Sequence, residues 1–150
     1  MIEVSHAHGL VLYGAMADVM KGWTLSEQGH EEDGVEQMRE GLAALDATAT
    51  ALVRPHFLGL LAEALAKLDR VDEAFALLDE ATTMVSNTGE GYYEAELYRL
   101  KGELLLMKDK RADAEGCFKR SLEIAESQKA KSLQVRTETS LARLSSGTLQ

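Results

Sequence analysis

Shifted by 40 residues against itself, this chain falls into register twice, and no other feature narrows its fold as much. GWTLSEQGHEEDGVEQMREGL aligns with AEALAKLDRVDEAFALLDEAT and again with GELLLMKDKRADAEGCFKRSL. Small residues recur at Gly22, Ala62 and Gly102, at Gly34, Ala74 and Ala114, and at Gly41, Ala81 and Ser121. Larger apolar residues recur between them, at Met20, Leu60 and Leu100, at Leu25, Leu65 and Leu105, and at Met38, Leu78 and Phe118. Within a unit the apolar steps are three, four and seven, which is the spacing of a helix face. Strand-like alternation is nearly absent, so the repeat predicts stacked helical units.

Each unit reads as two antiparallel helices broken at Gly29-His30, at Asp69-Arg70 and at Lys108-Asp109-Lys110. Acidic residues follow each break (Glu31, Glu32 and Asp33; Asp72 and Glu73; Asp113), where the positive end of a helix dipole favours them. Units span about residues 11–50, 51–90 and 91–130, joined at Thr50–Pro55 and at Asn87–Gly91, and a closing helix covers about 131–145. The last joint, at Gln128-Lys129, contains no Gly or Pro. The expected fold is all-α: three helix pairs of 40-residue period plus a closing helix, wound as a right-handed α-α superhelix. The recurring small residues mark helix crossings at the close end of the ~8–10 Å range, where a bulky side chain would not fit. Leu10, Val11, Tyr13 and Met16 precede the first full unit, and no earlier second helix is there to cover them. That end is expected to self-associate or to receive a further repeat.

Composition limits what such a fold can do. At 150 residues, 45% hydrophobic and 27% charged, the chain suits one soluble domain with its own core. Its formal charge of −9 disfavours nucleic acid. The charge is uneven, with 7 basic and 19 acidic residues in 1–107 and 9 basic and 6 acidic in 108–150. The apolar stretch Gly9–Met20 is interrupted by Gly14 and Asp18 and follows no basic segment, so neither a membrane span nor a signal peptide is expected. One cysteine, Cys117, fits a reducing compartment, and a cytoplasmic location is expected.

The run of segments GWTLSEQG, LLAEALAK, YYEAELYRLKGELLL, AEGCFKRSLEIA and AKSLQVRTETSLARL resembles the tetratricopeptide repeat, with helices longer than its ~34-residue unit. Over about residues 11–145 it is similar to the C-terminal repeat region of large bacterial signalling proteins that fuse a class III nucleotide cyclase or another effector to a predicted ATPase. Neither companion part is present, since the sequence holds no GxxxxGK[ST] loop. The resemblance implies a non-catalytic interaction or regulatory scaffold, without cofactor, whose partner is a protein or peptide, cyclase and ATPase effector domains included. It also implies that first helices line a concave face, carrying Met16, His56, Glu96 and Arg136; Val19, Gly59, Arg99 and Thr139; and Trp23, Glu63, Glu103 and Arg143. From these, Trp23, His56, Glu63, Glu96, Arg99, Glu103, Arg136 and Arg143 are the candidate partner-binding residues. The Asn-plus-Lys clamp that some members use for a peptide C-terminus has no counterpart here, because Trp23, Glu63 and Glu103 stand where its asparagines would be.

Other constellations are weaker. His6 and His8 are two apart on a helix and point in different directions, so they chelate poorly. Tyr92-Tyr93 is read as packing over the preceding joint. Cys117 has no neighbouring His and reads as a small, partly buried residue, not a nucleophile. No Ser-His-Asp ordering stands out, and an enzyme is not expected. A ligand-sensing domain that takes a small molecule or peptide into the concave groove is the alternative, and an enclosed apolar pocket with a few polar groups would mark it.

Overall fold

The computed structural model describes residues 2–46, 53–88 and 93–146. Among them are α1 (Ile2–Glu27), α2 (Glu31–Asp46), α3 (Arg54–Lys67), α4 (Val71–Thr88), α5 (Glu94–Met107), α6 (Arg111–Ser127) and α7 (Lys131–Ser146), and no strand. The all-α organisation expected from the repeat is therefore present. The joint at residues 50–52, Gly89, Gly91, Tyr92 and the side chains of His6 and His8 lie outside the described residues. The chain divides into two compact units, Met1–Leu77 and Leu78–Gln150, with the division falling within α4.

Four of the connections are built alike. Gly29, Asp69, Asp109 and Lys129 have φ of 91°, 59°, 59° and 56°. In each, the following N–H reaches back five residues: His30 to Leu25 O (2.9 Å), Arg70 to Leu65 O (3.0 Å), Lys110 to Leu105 O (2.8 Å) and Ala130 to Ala125 O (2.9 Å). The N–H of the left-handed residue itself bonds the carbonyl three before it, for example Asp69 to Ala66 O at 3.0 Å and Lys129 to Glu126 O at 3.1 Å. These paired bonds form a Schellman motif, which caps the last carbonyls of one helix. The residue after the left-handed one already begins the next helix, since His30 O, Arg70 O, Lys110 O and Ala130 O accept from Gly34, Ala74, Ala114 and Gln134. Only the first connection uses glycine, whose missing Cβ makes a positive φ inexpensive. At the Gln128-Lys129 joint the same turn forms on a lysine.

Helix crossings explain the recurring small residues. A Cβ added at Gly22 would lie 2.6 Å from Gly34 O, and one added at Gly34 would lie 2.5 Å from Gly22 O, so the α1 and α2 backbones touch here. Farther along, a Cβ at Gly41 would lie 2.8 Å from Val19 N. The other members of the set, Ala62, Ala74, Ala81, Ala114 and Ser121, are fully buried. At Gly102 the vacated space is filled by the ring of Phe118, 2.5 Å from where a Cβ would stand. Met38, Leu78 and Phe118 are likewise fully buried, as their shared register requires. Ser121 adds a polar tie, its Oγ donating to Ala95 O at 2.6 Å and standing 2.9 Å from Thr137 Oγ1 of α7.

One expectation is corrected by the packing. Val19, Gly59 and Arg99, assigned to an open face, are buried, and only Thr139 of that row is exposed. The row turns inward because it lies beside the crossing, with Val19 against Gly41. Met20 is 41% exposed although its counterpart Leu100 is buried.

Gly22→Ala is expected to cost about 1–3 kcal/mol through overpacking, whereas Gly14→Ala, where an added Cβ meets nothing, should be neutral or stabilising by up to ~1 kcal/mol. Urea denaturation of both variants checks this, and equal shifts would contradict the crossing geometry. Lys129→Gly should stabilise by about 0.5–1 kcal/mol by relieving a left-handed residue, while Gly29→Ala should destabilise by a similar amount.

Candidate functional site

Five of the eight candidate residues assemble in the second unit, on α5 and α7. Glu96, Arg99 and Glu103 are one turn apart on α5, so their side chains share a face. Arg99 Nη2 and Nε donate to the two carboxylate oxygens of Glu96 at 2.7 Å and 3.0 Å, a forked pair, and Arg99 Nη1 lies 3.6 Å from Glu103 Oε1. From α7, Arg136 reaches Glu96 Oε1 at 3.1 Å, Arg143 reaches Glu103 Oε1 at 2.9 Å, and Ser140 Oγ donates to that same oxygen at 2.7 Å. The spacing of Arg136, Ser140 and Arg143 places all three on one side of α7.

Burial sorts this network into an inner and an outer layer. Arg99 is 8% exposed and engaged by two carboxylates, so it orients Glu96 and Glu103 and is not offered to a partner. The side chains of Arg136 and Arg143 are about half exposed, 52% and 46%. Both are held within the network while half exposed, Arg136 on Glu96 and Arg143 on Glu103 with Ser140 Oγ 3.5 Å away. Three cations meet two anions, so the cluster carries an excess positive charge on a chain that is otherwise acidic.

Trp23, His56 and Glu63 lie in the first unit. The Trp23 side chain is half-buried, with its indole N–H covered and without a hydrogen-bond partner, as is Ser26 Oγ one turn later on α1. His56 sits half-buried near the start of α3 with its ring 5.2 Å from that of Phe57, and Glu63 is half-buried farther along the same helix.

Sequence reasoning passed over a second feature of the first unit. A groove of about 400 Å³ opens between α2, α3 and α4, with Leu58, Leu61 and Leu65 of α3 as its floor. Two ion pairs rim it, Arg39 with Glu73 at 2.9 Å and Arg54 with Asp46 at 2.5 Å. Arg70, donating from the same side, holds the Glu73 carboxyl below the usual carboxylate range, and Arg39 adds to this. The leucines gave no signal of their own, because a groove floor and a core face share one periodicity.

Cys117 is half-buried, and that burial pushes its thiol above the ordinary value, the opposite of what a nucleophile needs. Among the described residues no helix is long and apolar enough to cross a membrane, and no group of three or more His, Cys, Asp or Glu is placed to hold a metal ion.

A family model described as tetratricopeptide repeat matches residues 48–127, more than half of the chain. The chain belongs to the tetratricopeptide repeat family, a family of helix-pair arrays that generally mediate protein–protein interaction and are generally non-catalytic. Over 145 residues, 96% of the chain, it is 26% identical to the Rhizobium meliloti (strain 1021) protein named "Uncharacterized protein R02095". It spans only 14% of that relative's length.

Arg99→Ala should destabilise the fold by about 1–3 kcal/mol, since it strips Glu96 and Glu103 of a buried partner, whereas Arg143→Ala should cost less than ~1 kcal/mol. Thermal denaturation of the two variants separates the inner layer from the outer one.

Proposed function

We propose that this chain is a non-catalytic protein-interaction scaffold that takes a carboxylate-bearing peptide segment on the α5–α7 face of its second unit. The observation that carries the reading is the layered network, in which Arg99 fixes Glu96 and Glu103 while Arg136 and Arg143 remain half exposed beside them. Such a face favours a partner with a carboxylate for the arginines and a cation or amide for Glu96 and Glu103, which suits a peptide better than a polyanion. Trp23, His56 and Glu63 supply a further contact surface in the first unit. The reading extends, on the resemblance of the repeat run alone, to a place in a larger bacterial signalling assembly in the cytoplasm, with cyclase or ATPase effector domains among the partners.

A ligand-sensing role is the second reading, and its candidate site is the groove between α2, α3 and α4, about 400 Å³ in volume but open where a sensor's pocket is expected to be enclosed. That role would place the ligand on the second-helix side of the pairs, over Leu58 and Leu61.

Fluorescence anisotropy with a panel of labelled acidic, neutral and basic peptides tests the first reading. Arg136→Ala and Arg143→Ala are expected to weaken the acidic peptides roughly tenfold, about 1.4 kcal/mol, at unchanged melting temperature. Lys119→Ala, on exposed α6 surface, should leave binding intact. Equal binding of all peptide classes, or loss with Lys119→Ala alone, would overturn the assignment.

A further inference from the structure

The groove between α2, α3 and α4 has an ion pair at each end, Arg39 with Glu73 and Arg54 with Asp46, and among the described residues only apolar side chains line it between them. Arg39 and Asp46 are seven residues apart on α2, two helical turns, so the ends stand about 10 Å from each other. The facing walls carry Ala43 on α2 and Ala76 on α4, both exposed, with half-buried Leu77 beside the second. Methyl groups at these two places are too short to bridge the gap, and Leu58, Leu61 and Leu65, themselves almost fully buried, close it from below.

The two ends hold their acids differently. Arg70, just before α4, forks Glu73, with Nε on Oε1 and Nη2 on Oε2, both at 2.8 Å. The Arg39 contact to Oε2, at 2.9 Å, comes on top of that pair. If Arg39 turns away, both oxygens of Glu73 stay engaged. The Arg39 side chain is also 50% exposed, against 21% for Arg54, so Arg39 is the rim cation that a new carboxylate can recruit at little cost. Two guanidinium groups meeting on one carboxylate make this end more receptive to an anion than to a cation. The open side of the groove leaves one edge of any occupant in water, which suits a narrow chain with a single polar head. We infer, resting on the ligand-sensing reading, that the groove is the site of a small aliphatic carboxylate, its chain lying between Ala43 and Ala76 over the leucine floor and its head group held by Arg39.

Octanoate, octanol and octylamine share a chain that matches this span and differ in head group, and the leucine methyl resonances of the full chain report where each one binds. Octanoate should shift the groove leucines saturably and bind roughly tenfold more tightly than the other two. Arg39→Gln, which breaks only a half-exposed ion pair, should abolish that preference at unchanged melting temperature. Glu73→Gln, which removes the acid competing for Arg39, should tighten octanoate severalfold. Each methylene taken from the chain should weaken binding roughly twofold, short of the roughly fourfold of complete burial. If octanol matches octanoate and Arg39→Gln alters neither, the groove takes ligands by apolar contact alone, so the inference falls while the ligand-sensing reading stands. If none of the three compounds shifts the groove leucines, both fall. Octanoate shifts confined to the leucines of α5 and α7 would overturn the inference as well, by giving the carboxylate to the other unit.

Discussion

Backbone contact between α1 and α2 at Gly22 and Gly34 sets the geometry on which the rest of the first pair depends. Two helices this close cannot rotate about their axes without driving a side chain into the partner's carbonyls, so the crossing fixes which residues point in and which remain outside. Val19 and Met38 are buried by that choice, and Leu10, Tyr13 and Met20 are left exposed by it. The pair α5–α6 solves the same problem with different chemistry, an aromatic ring laid on Gly102. A common register thus preserves helix phase while permitting one crossing to be backbone on backbone and another to be ring on backbone.

The fold was largely legible because a helix pair writes its contacts at fixed spacing. Positions 22, 34 and 41 with their counterparts are small and buried, and the connections fall at Gly29, Asp69 and Asp109, as the interruptions in the apolar pattern indicate. The turn at Lys129 was less visible, because its defining feature is a dihedral angle and no residue there advertises it. Legibility falls further at the site. Repeat phase placed Glu96, Arg99, Glu103, Arg136 and Arg143 on neighbouring helices, but it did not distinguish the buried Arg99 from the half-exposed Arg136 and Arg143. That distinction depends on how far a long side chain reaches across a crossing, and it carries no period. The groove over Leu58 and Leu61 was missed for a related reason: the gap between α2 and α4 is a property of three helices together.

Polar groups are used differently in the two units. In the second, hydroxyls and charges tie helices to each other, with Ser121 bridging to Ala95 and Thr137, and Ser140 joining Arg143 on Glu103. In the first, Trp23 Nε1 and Ser26 Oγ are buried without such partners, and most ion pairs lie at the surface, where each contributes little. A buried donor without an acceptor costs about 1–3 kcal/mol, so the first unit depends more heavily on apolar packing and on its glycine crossing.

Prior pairing of the charges shapes how the α5–α7 face can bind. A partner that had to displace Glu96 from Arg99 would lose a forked, buried pair and gain at most an equivalent one, so displacement offers no driving force. On the proposed reading, association would instead add to the network at the half-exposed side chains of Arg136 and Arg143. Those contacts are formed at half-exposed groups and are screened by salt, which makes them better suited to selecting a partner and speeding its encounter than to holding it tightly. Affinity on such a surface has to come from apolar contact elsewhere along the bound segment. The acidic remainder of the chain favours partners that present their carboxylates locally, against the arginines, and disfavours those that carry negative charge throughout.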